Sequence, residues 1–504
     1  MLPNAAARAI EPGATALLLA TLGLLLLLSI AFSRATARVP VPLAFVFVMV
    51  GILAGSEGIG RIAFADYGTA YRLGTMALAL ILFDGGLNTP FSAVKKGASA
   101  AGVLATLGVV ATAALVAVVA HALTFPWPYA LLLGAVVSST DAAAVFGVLK
   151  GSGIRLRHRV GRTLELESGL NDPMAVILTM LLTERLTTGG SAPGGWELAP
   201  WLALKVLMEL GIGGAMGWLI GVGGRHALAR LGLLPGGLLP VLSLSVALLA
   251  YGTPTLLHGS GFLGVYVAGI ALANGDLPYR AGLLRVHDAL AWLAQVGMFL
   301  VLGLLVFPSR LFEVALPGAG LALFLALVAR PLVTALCLLP FRFPWRESLY
   351  VGWVGLRGAV PVVLATMPVL AGVPGAERLF DVVFFIVVVN AFVPGATVPW
   401  VTRLLKVESG EPPPPRAVLA IESAAPLDGD ILSFHVDQAL SVSGVALADL
   451  PFPDGAAVML VLRGRQLVAA RGTTTLEPGD HVYVFAKRED RGEILLMFGR
   501  PEED

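Results

Sequence analysis

The sequence predicts an all-α polytopic membrane protein of about thirteen transmembrane helices. It has inverted repeats, two broken crossing helices and a small α/β domain at its C-terminal end. Three observations carry this reading. Of 504 residues, 57% are hydrophobic and only 13% are charged, where a soluble domain carries about 25%. Long apolar runs fill residues 14 to 402 and polar residues gather after them; many runs approach the roughly 18–20 residues that cross a bilayer. Two of the runs, at comparable places in the two halves, are interrupted by polar or glycine-rich stretches. That is the pattern of inverted-repeat membrane folds whose site lies near the midplane.

Apolar length and charged breaks place the spans near 14–33, 40–55, 73–90, 97–121, 129–149, 161–183, 200–222, 237–252, 258–274, 288–307, 317–340, 347–371 and 380–402. The first is read as a retained span and not a secretory signal, because Arg34 and Arg38 follow the run instead of preceding it. Alternate loops are rich in basic residues: Arg34/Arg38, Lys95/Lys96, Lys150 with Arg155, Arg157, Arg159 and Arg162, Arg225/Arg230, Arg280/Arg285, Arg342/Arg346 and Arg403/Lys406. The opposite loops hold few: Arg8, Arg61, Arg72, Arg185, Arg310 and Arg378. Basic loops stay in the cytoplasm, so the N-terminus is expected outside and the C-terminus inside a cell (inner) membrane.

Residues 1–406 are therefore expected to form the membrane domain and 407–416 a linker, stiffened by the prolines between Glu411 and Arg416. Residues 417–504 read as a small cytoplasmic domain. Val458-Met-Leu-Val-Leu462 and His481-Val-Tyr-Val-Phe485 look like strands, bounded by Pro453-Asp-Gly455 and Pro478-Gly-Asp480. Ala439 to Leu450 has room for a short helix. Such a small domain buries a modest core, so pairing with a second copy is expected. A net charge of +1 offers no field for nucleic acid. The single cysteine, Cys337, excludes a disulfide framework and reads as a small core residue.

Ionisable residues inside a span mark an ion or substrate path by default. In the fifth span Ser138, Ser139, Thr140 and Asp141 lie mid-run. Their oxygens are hard ligands able to replace the water shell of an alkali cation; helix contacts and an Asp141 helix cap are the alternatives. In the sixth, Leu164-Glu-Leu-Glu-Ser-Gly-Leu-Asn-Asp-Pro173 puts Ser168 and Asp172 on one helical face and Glu167 and Asn171 on the next. Pro173 frees a carbonyl near Gly169, and Glu165 fits an ordinary surface charge. In the twelfth, Gly352-Trp-Val-Gly-Leu-Arg-Gly-Ala-Val-Pro361 sets Arg357 among helix-weakening residues. A buried arginine keeps its charge and needs an acid, for which Glu167 is the first candidate. Asp84, in Phe83-Asp-Gly-Gly86, is either structural or pathway-lining, and Arg330 has no evident partner.

These stretches resemble the monovalent cation:proton antiporter-1 family, which includes the NhaP-type bacterial antiporters. The likeness covers nearly all of residues 14 to 405 and rests on Ser139-Thr-Asp141, Glu167-Ser168 with Asn171-Asp172, and Gly355-Leu-Arg-Gly-Ala359. It implies a dimerisation domain, a core domain and alternating access. It also implies that Asp172 is the ion- and proton-binding carboxylate, with Asp141, Thr140 and Ser168 completing or neighbouring the site. Asn171 would be held by Glu167, and Glu167 would pair with Arg357; Ser139 and Asp84 would line the path. The Asn-Asp form implies electroneutral exchange. Ala142 stands where many sodium-exchanging members carry proline. The segment after Arg357 looks closest to the potassium/proton, cell-volume-regulation branch. The last domain resembles the C-terminal (TrkA-C-like) subdomain of potassium-conductance regulators, which implies a small cytoplasmic ligand. The expected function is secondary exchange of potassium or sodium for protons, in a homodimer, with no cofactor and no enzymatic chemistry. A ligand-gated cation channel and an intramembrane enzyme are the alternatives. The first lacks a selectivity-filter loop, and the second lacks the metal-binding acid clusters that such chemistry needs.

Overall fold

A computed structural model describes residues 12–35, 42–187, 198–230, 237–275, 279–409 and 429–501, apart from positions 439, 441, 465, 488 and 500. Arg8, Arg38 and most of the expected 407–416 linker lie outside these residues. The chain divides into two compact units, one of residues 1–226, 240–275 and 286–409 and the other of residues 227–239, 276–285 and 410–504.

The first unit opens with α1 (Gly13–Ala35), α2 (Leu43–Ala54) and α3 (Tyr67–Leu87). α4 (Phe91–Val103) and α5 (Val109–Ala122) are joined through a π turn at Leu104–Gly108. α6 (Trp127–Val136) and α7 (Ala142–Gly151) flank an extended break, and α8 (His158–Thr187) runs on through Pro173. α9 (Leu198–Arg230), α10 (Leu238–Leu256), α11 (Gly261–Ala273) and α12 (Arg280–Leu304) follow. α13 (Pro308–Phe324) and α14 (Arg330–Leu338) again meet at a π turn, Leu325–Ala329. α15 (Trp345–Trp353) and α16 (Ala359–Leu370) flank the second break. A third π turn, Ala391–Gly395, joins α17 (Ala376–Asn390) to α18 (Ala396–Leu404).

Eight described helices are long and apolar enough to cross a membrane, and five more are apolar but shorter. The shorter ones include both halves of the first broken helix and the second half of the other, so neither interrupted span is one uniform rod. The expected inverted repeat appears as a recurring order of devices. Gly51 of α2 backs onto Gly303 of α12, where a Cβ would lie 2.9 Å from the opposing Cα. Gly86 of α3 backs onto Gly269 of α11 in the same way, at 3.1 Å. In each half a π-jointed helix follows, then a broken helix, then a helix packed beside the break. Missing side chains let these backbones approach closely, as small residues do between membrane helices. Beneath the breaks, Val145, Leu149, Val160, Tyr350, Val351 and Leu356 share a buried cluster.

The described residues 429–501 form a four-stranded antiparallel sheet in the order β1-β4-β2-β3, with one α-helix. β1 is Gly429–His435, β2 Ala456–Arg463, β3 Gln466–Ala469 and β4 Asp480–Lys487; α19 is Arg491–Phe498. Phe434, Val461, Val482, Val484, Ile494 and Phe498 fill its core. The two strands foreseen as apolar runs between turn signals fall within β2 and β4. The short helix expected at Ala439–Leu450 is corrected. Its described residues form turns and a single 3₁₀ turn at Leu447–Asp449. Gly444 there takes a φ of 80°, which a right-handed helix cannot hold.

Candidate ion site

Ser138, Ser139, Thr140 and Asp141 end α6 because short polar side chains offer the backbone local alternatives to the helix ladder. Ser138 Oγ donates back to the Ala135 carbonyl at 2.7 Å. Asp141 is extended (φ −114°, ψ 100°) and restarts the helix as the N-cap of α7, accepting from the Ala144 amide at 3.1 Å. In the second break Gly355 and Gly358 supply the freedom, and Gly358 is the N-cap residue of α16.

The two breaks meet. The Asp141 amide donates to the Leu356 carbonyl at 2.8 Å. Arg357 Nε donates to the Val137 carbonyl at 3.0 Å, and its Nη1 donates to the Gly355 carbonyl. A Cβ on Gly358 would overlap the Asp141 carboxyl, so glycine is required there. Asp141 therefore sits at the positive N-terminal poles of α7 and α16. Arg357 sits at the carbonyl ends of α6 and α15. Each charge faces the helix pole it complements.

α8 supplies the third wall. Ser168 Oγ donates to the Thr140 carbonyl at 3.1 Å and accepts from the Ala142 amide at 3.2 Å. It thereby serves one orphan donor and one orphan acceptor of the break. Asn171 Nδ2 donates to Thr140 Oγ1 at 2.6 Å. Asp172 is 8% exposed, with the Ser139 hydroxyl and the Asp141 carboxyl beside it. Its Oδ1, Asn171 Oδ1 and Glu167 Oε2 are buried oxygens with no hydrogen-bond partner among the described residues. Leaving buried acceptors unmatched costs about 1–3 kcal/mol each. The unmatched Asp172 and Asn171 oxygens, with the hydroxyls around them, form a hard-oxygen donor set suited to an alkali cation.

The structure thus brings together Asp172, Asp141, Thr140, Ser168, Ser139, Asn171 and Arg357, but it corrects two expected relations. Glu167 pairs with Arg330 and not with Arg357. Arg357 lies in the extended break, where its Nε and Nη1 donate to neighbouring carbonyls and its buried Nη2 has no partner among the described residues, whereas Arg330 enters from α14, where Gly352 lets α15 close on Pro331. Asn171 is held by Thr140 and not by Glu167. Asp84 is half-buried at the end of α3, accepting from Asn88 Nδ2 at 3.2 Å, and does not join the cluster. Arg330 is the residue that reasoning from sequence left unplaced. An arginine beside a proline inside a long apolar run was the available signal; in the fold it is 1% exposed.

Behind the site the α7–α8 connector is strapped to the chain leaving α18. The Arg157 amide donates to the Val407 carbonyl at 3.0 Å and the Ser409 amide to the Arg155 carbonyl at 2.8 Å, either side of a Leu156–Glu408 bridge. Arg157 also pairs with Glu347 of α15 at 3.3 Å. On the side of the α2–α3 loop, Ser309 donates its amide (2.8 Å) and its hydroxyl (2.5 Å) to Glu57. These bonds hold the Glu57 carboxyl below its ordinary range.

Comparison with known proteins gives concordant results. The model of the family "Sodium/hydrogen exchanger, transmembrane" matches residues 21–404, and that of the TrkA-C domain matches residues 436–499. A K(+)/H(+) antiporter NhaP2 of Shewanella oneidensis is 41% identical over 462 residues, covering 90% of this chain and 79% of that protein. A K(+)/H(+) antiporter NhaP of Alkalimonas amylolytica is 38% identical, covering 89% and 77%. The structure of the sodium proton antiporter MjNhaP1 from Methanocaldococcus jannaschii superposes with a TM-score of 0.65 at 23% identity, over 78% of this chain and 99% of that one. At that identity the likeness is one of fold.

Proposed function

The chain belongs to the sodium/hydrogen exchanger family, and we propose that it exchanges potassium for protons, with Asp172 as the carboxylate that carries one or the other. It is a membrane-spanning cation/proton antiporter and not an enzyme. The potassium assignment draws on relatives named for potassium at about 40% identity. One observation supports the site above others: the Asp172 carboxyl lies at the crossing of two unwound segments with one oxygen unmatched.

Burial favours the protonated form of a carboxyl, and a nearby cation favours the ionised form. Asp172 would therefore hold a proton or a partly dehydrated cation, never both. Asn171 Oδ1, Ser139 and Thr140 would supply neutral oxygens, and Asp141 would balance the helix poles. Asn171 adds no second titrating charge, so one positive charge crosses in each direction and turnover is electroneutral. Membrane helices rocking or sliding as rigid bodies would expose the site to each side in turn.

The asymmetry of the basic loops supports an N-terminus outside and a C-terminus in the cytoplasm, in a cell (inner) membrane. Two copies would form a homodimer, and the TrkA-C domain would bind a small cytoplasmic ligand that shifts the balance between states. The test uses purified full-length protein in liposomes holding a pH gradient and a pH-sensitive dye. Dissipation by potassium, absent in Asp172→Asn, is expected. Dissipation by sodium alone would overturn the ion, and activity retained in Asp172→Asn would overturn the site.

A further inference from the structure

We propose that Tyr266 is a further cation-positioning residue, its phenol oxygen forming part of the wall that a cation passes between Glu165 and Asp172. The proposal rests on the reading of Asp172 as the exchanging carboxylate.

The seat of this tyrosine is set by close backbone packing. Gly86 and Gly269 bring α3 and α11 into direct contact, which fixes how α11 is rotated. Tyr266, 4% exposed, then turns its ring onto α8 at Gly169. A Cβ on Gly169 would stand 2.6 Å from the ring Cζ and 2.8 and 3.0 Å from the two Cε atoms. Only a glycine accepts the ring there.

Gly169 borders a graded polar stripe. Glu165, Ser168 and Asp172 recur at the spacing of one helical face. Along it exposure falls from an exposed Glu165 through a half-buried Ser168 to Asp172 at 8%. The stripe runs from solvent to the unmatched Asp172 oxygen, and the Tyr266 ring flanks it between the two acids.

The hydroxyl has a definite polarity. Thr89 Oγ1 donates to the Gly85 carbonyl at 2.7 Å and lies 3.4 Å from the Tyr266 oxygen. With the threonine proton committed, the phenol O–H is the donor of that pair. The phenol lone pairs remain as a neutral hard-oxygen acceptor, one bond from the ring Cζ that rests on Gly169. A neutral oxygen between two carboxylates suits a cation shedding part of its water shell. Neither Phe nor Leu would offer that oxygen.

The test measures initial exchange rate against cation concentration in everted vesicles containing the full-length protein, for wild type, Tyr266→Phe and Asp172→Asn. Tyr266→Phe keeps the ring on Gly169 and removes only the oxygen. The expected result is an apparent KM raised about fivefold, the loss of roughly one polar contact, at an unchanged maximal rate. An unchanged KM, or a fall in maximal rate alone, would overturn the proposal by reducing Tyr266 to packing. If Tyr266→Phe fails to accumulate, Thr89→Val must raise KM in its place, because it frees the phenol proton to face the path; an unchanged KM there overturns the proposal equally. Exchange that survives in Asp172→Asn would instead sink the underlying site assignment, whatever Tyr266→Phe does.

Discussion

Replacing Arg330 with methionine tests the polar network behind the site. Arg330 and Glu167 are each 1% exposed, and Arg330 Nη2 bonds Glu167 Oε1. The other carboxyl oxygen, Oε2, has no partner among the described residues. Arg330→Met would therefore leave a buried carboxylate with neither oxygen bonded. Breaking a buried ion pair from one side costs about 3–5 kcal/mol, whereas removing both charges is often close to neutral. Arg330→Met should thus be destabilised by about 3–5 kcal/mol, and adding Glu167→Gln should recover most of it. The coupling, about 3 kcal/mol, corresponds to roughly a hundredfold in the folded-to-unfolded ratio. Thermal unfolding of the detergent-purified single and double variants gives the cycle. Arg357→Met serves as the comparison, since its guanidinium bonds carbonyls and not Glu167. Strictly additive effects in the Arg330 cycle, or rescue of Arg357→Met but not of Arg330→Met, would refute the pairing.

Three further outcomes follow from the geometry. Gly358→Ala would drive a methyl into the Asp141 carboxyl and spread the crossing. Displacements near 1 Å at a working site cost about a hundredfold, so exchange in liposomes should fall at least tenfold, and a wild-type rate would contradict the packing. Ser309 holds Glu57 ionised below its ordinary value of 4.5, so this contact adds stability above pH 4.5 and loses it as pH falls through the depressed value. Glu57→Gln should melt below wild type at pH 7, with the gap closing in acid; a gap that widens on acidification would be the wrong sign. In the C-terminal unit Asp480 is fully buried and accepts from Arg463 Nε and Nη2, each at 2.9 Å. Arg463→Met removes both charge-assisted bonds and should cost that domain about 2–3 kcal/mol, read as faster amide exchange in β2 and β4 of the full chain; unchanged exchange would sink the estimate.

What the sequence disclosed follows the range of the interactions. Both helix breaks were legible because their causes are local: a run of hydroxyls ending in Asp141, and Gly355 with Gly358. Ser168 and Asp172 share a face by spacing alone. The partner of Glu167 was not legible, because Arg330 and Arg357 are equally charged. Only the rotation of α14 and the extended course of the second break decide which one reaches α8. Asn171 looked bound for Glu167, its neighbour one turn back, until Thr140 arrived from another helix. The Leu156–Glu408 bridge joins two loops far apart in the chain with no periodicity to announce it. β1 escaped notice because Asp430, Ser433 and His435 break its apolar residues into short pieces, so the continuous run that marks a buried strand is missing. Tyr266 was silent for a related reason: a tyrosine in an apolar helix means little until Gly169 is found beneath its ring.

The central claim is that one carboxylate, Asp172, holds either a proton or a cation. Counting the protons released when potassium binds to the purified full-length protein tests it most directly, by calorimetry in buffers of different ionisation enthalpy. The account predicts about one proton released per cation bound, and neither binding nor release in Asp172→Asn. Potassium binding without proton release, or release that persists in Asp172→Asn, would contradict it.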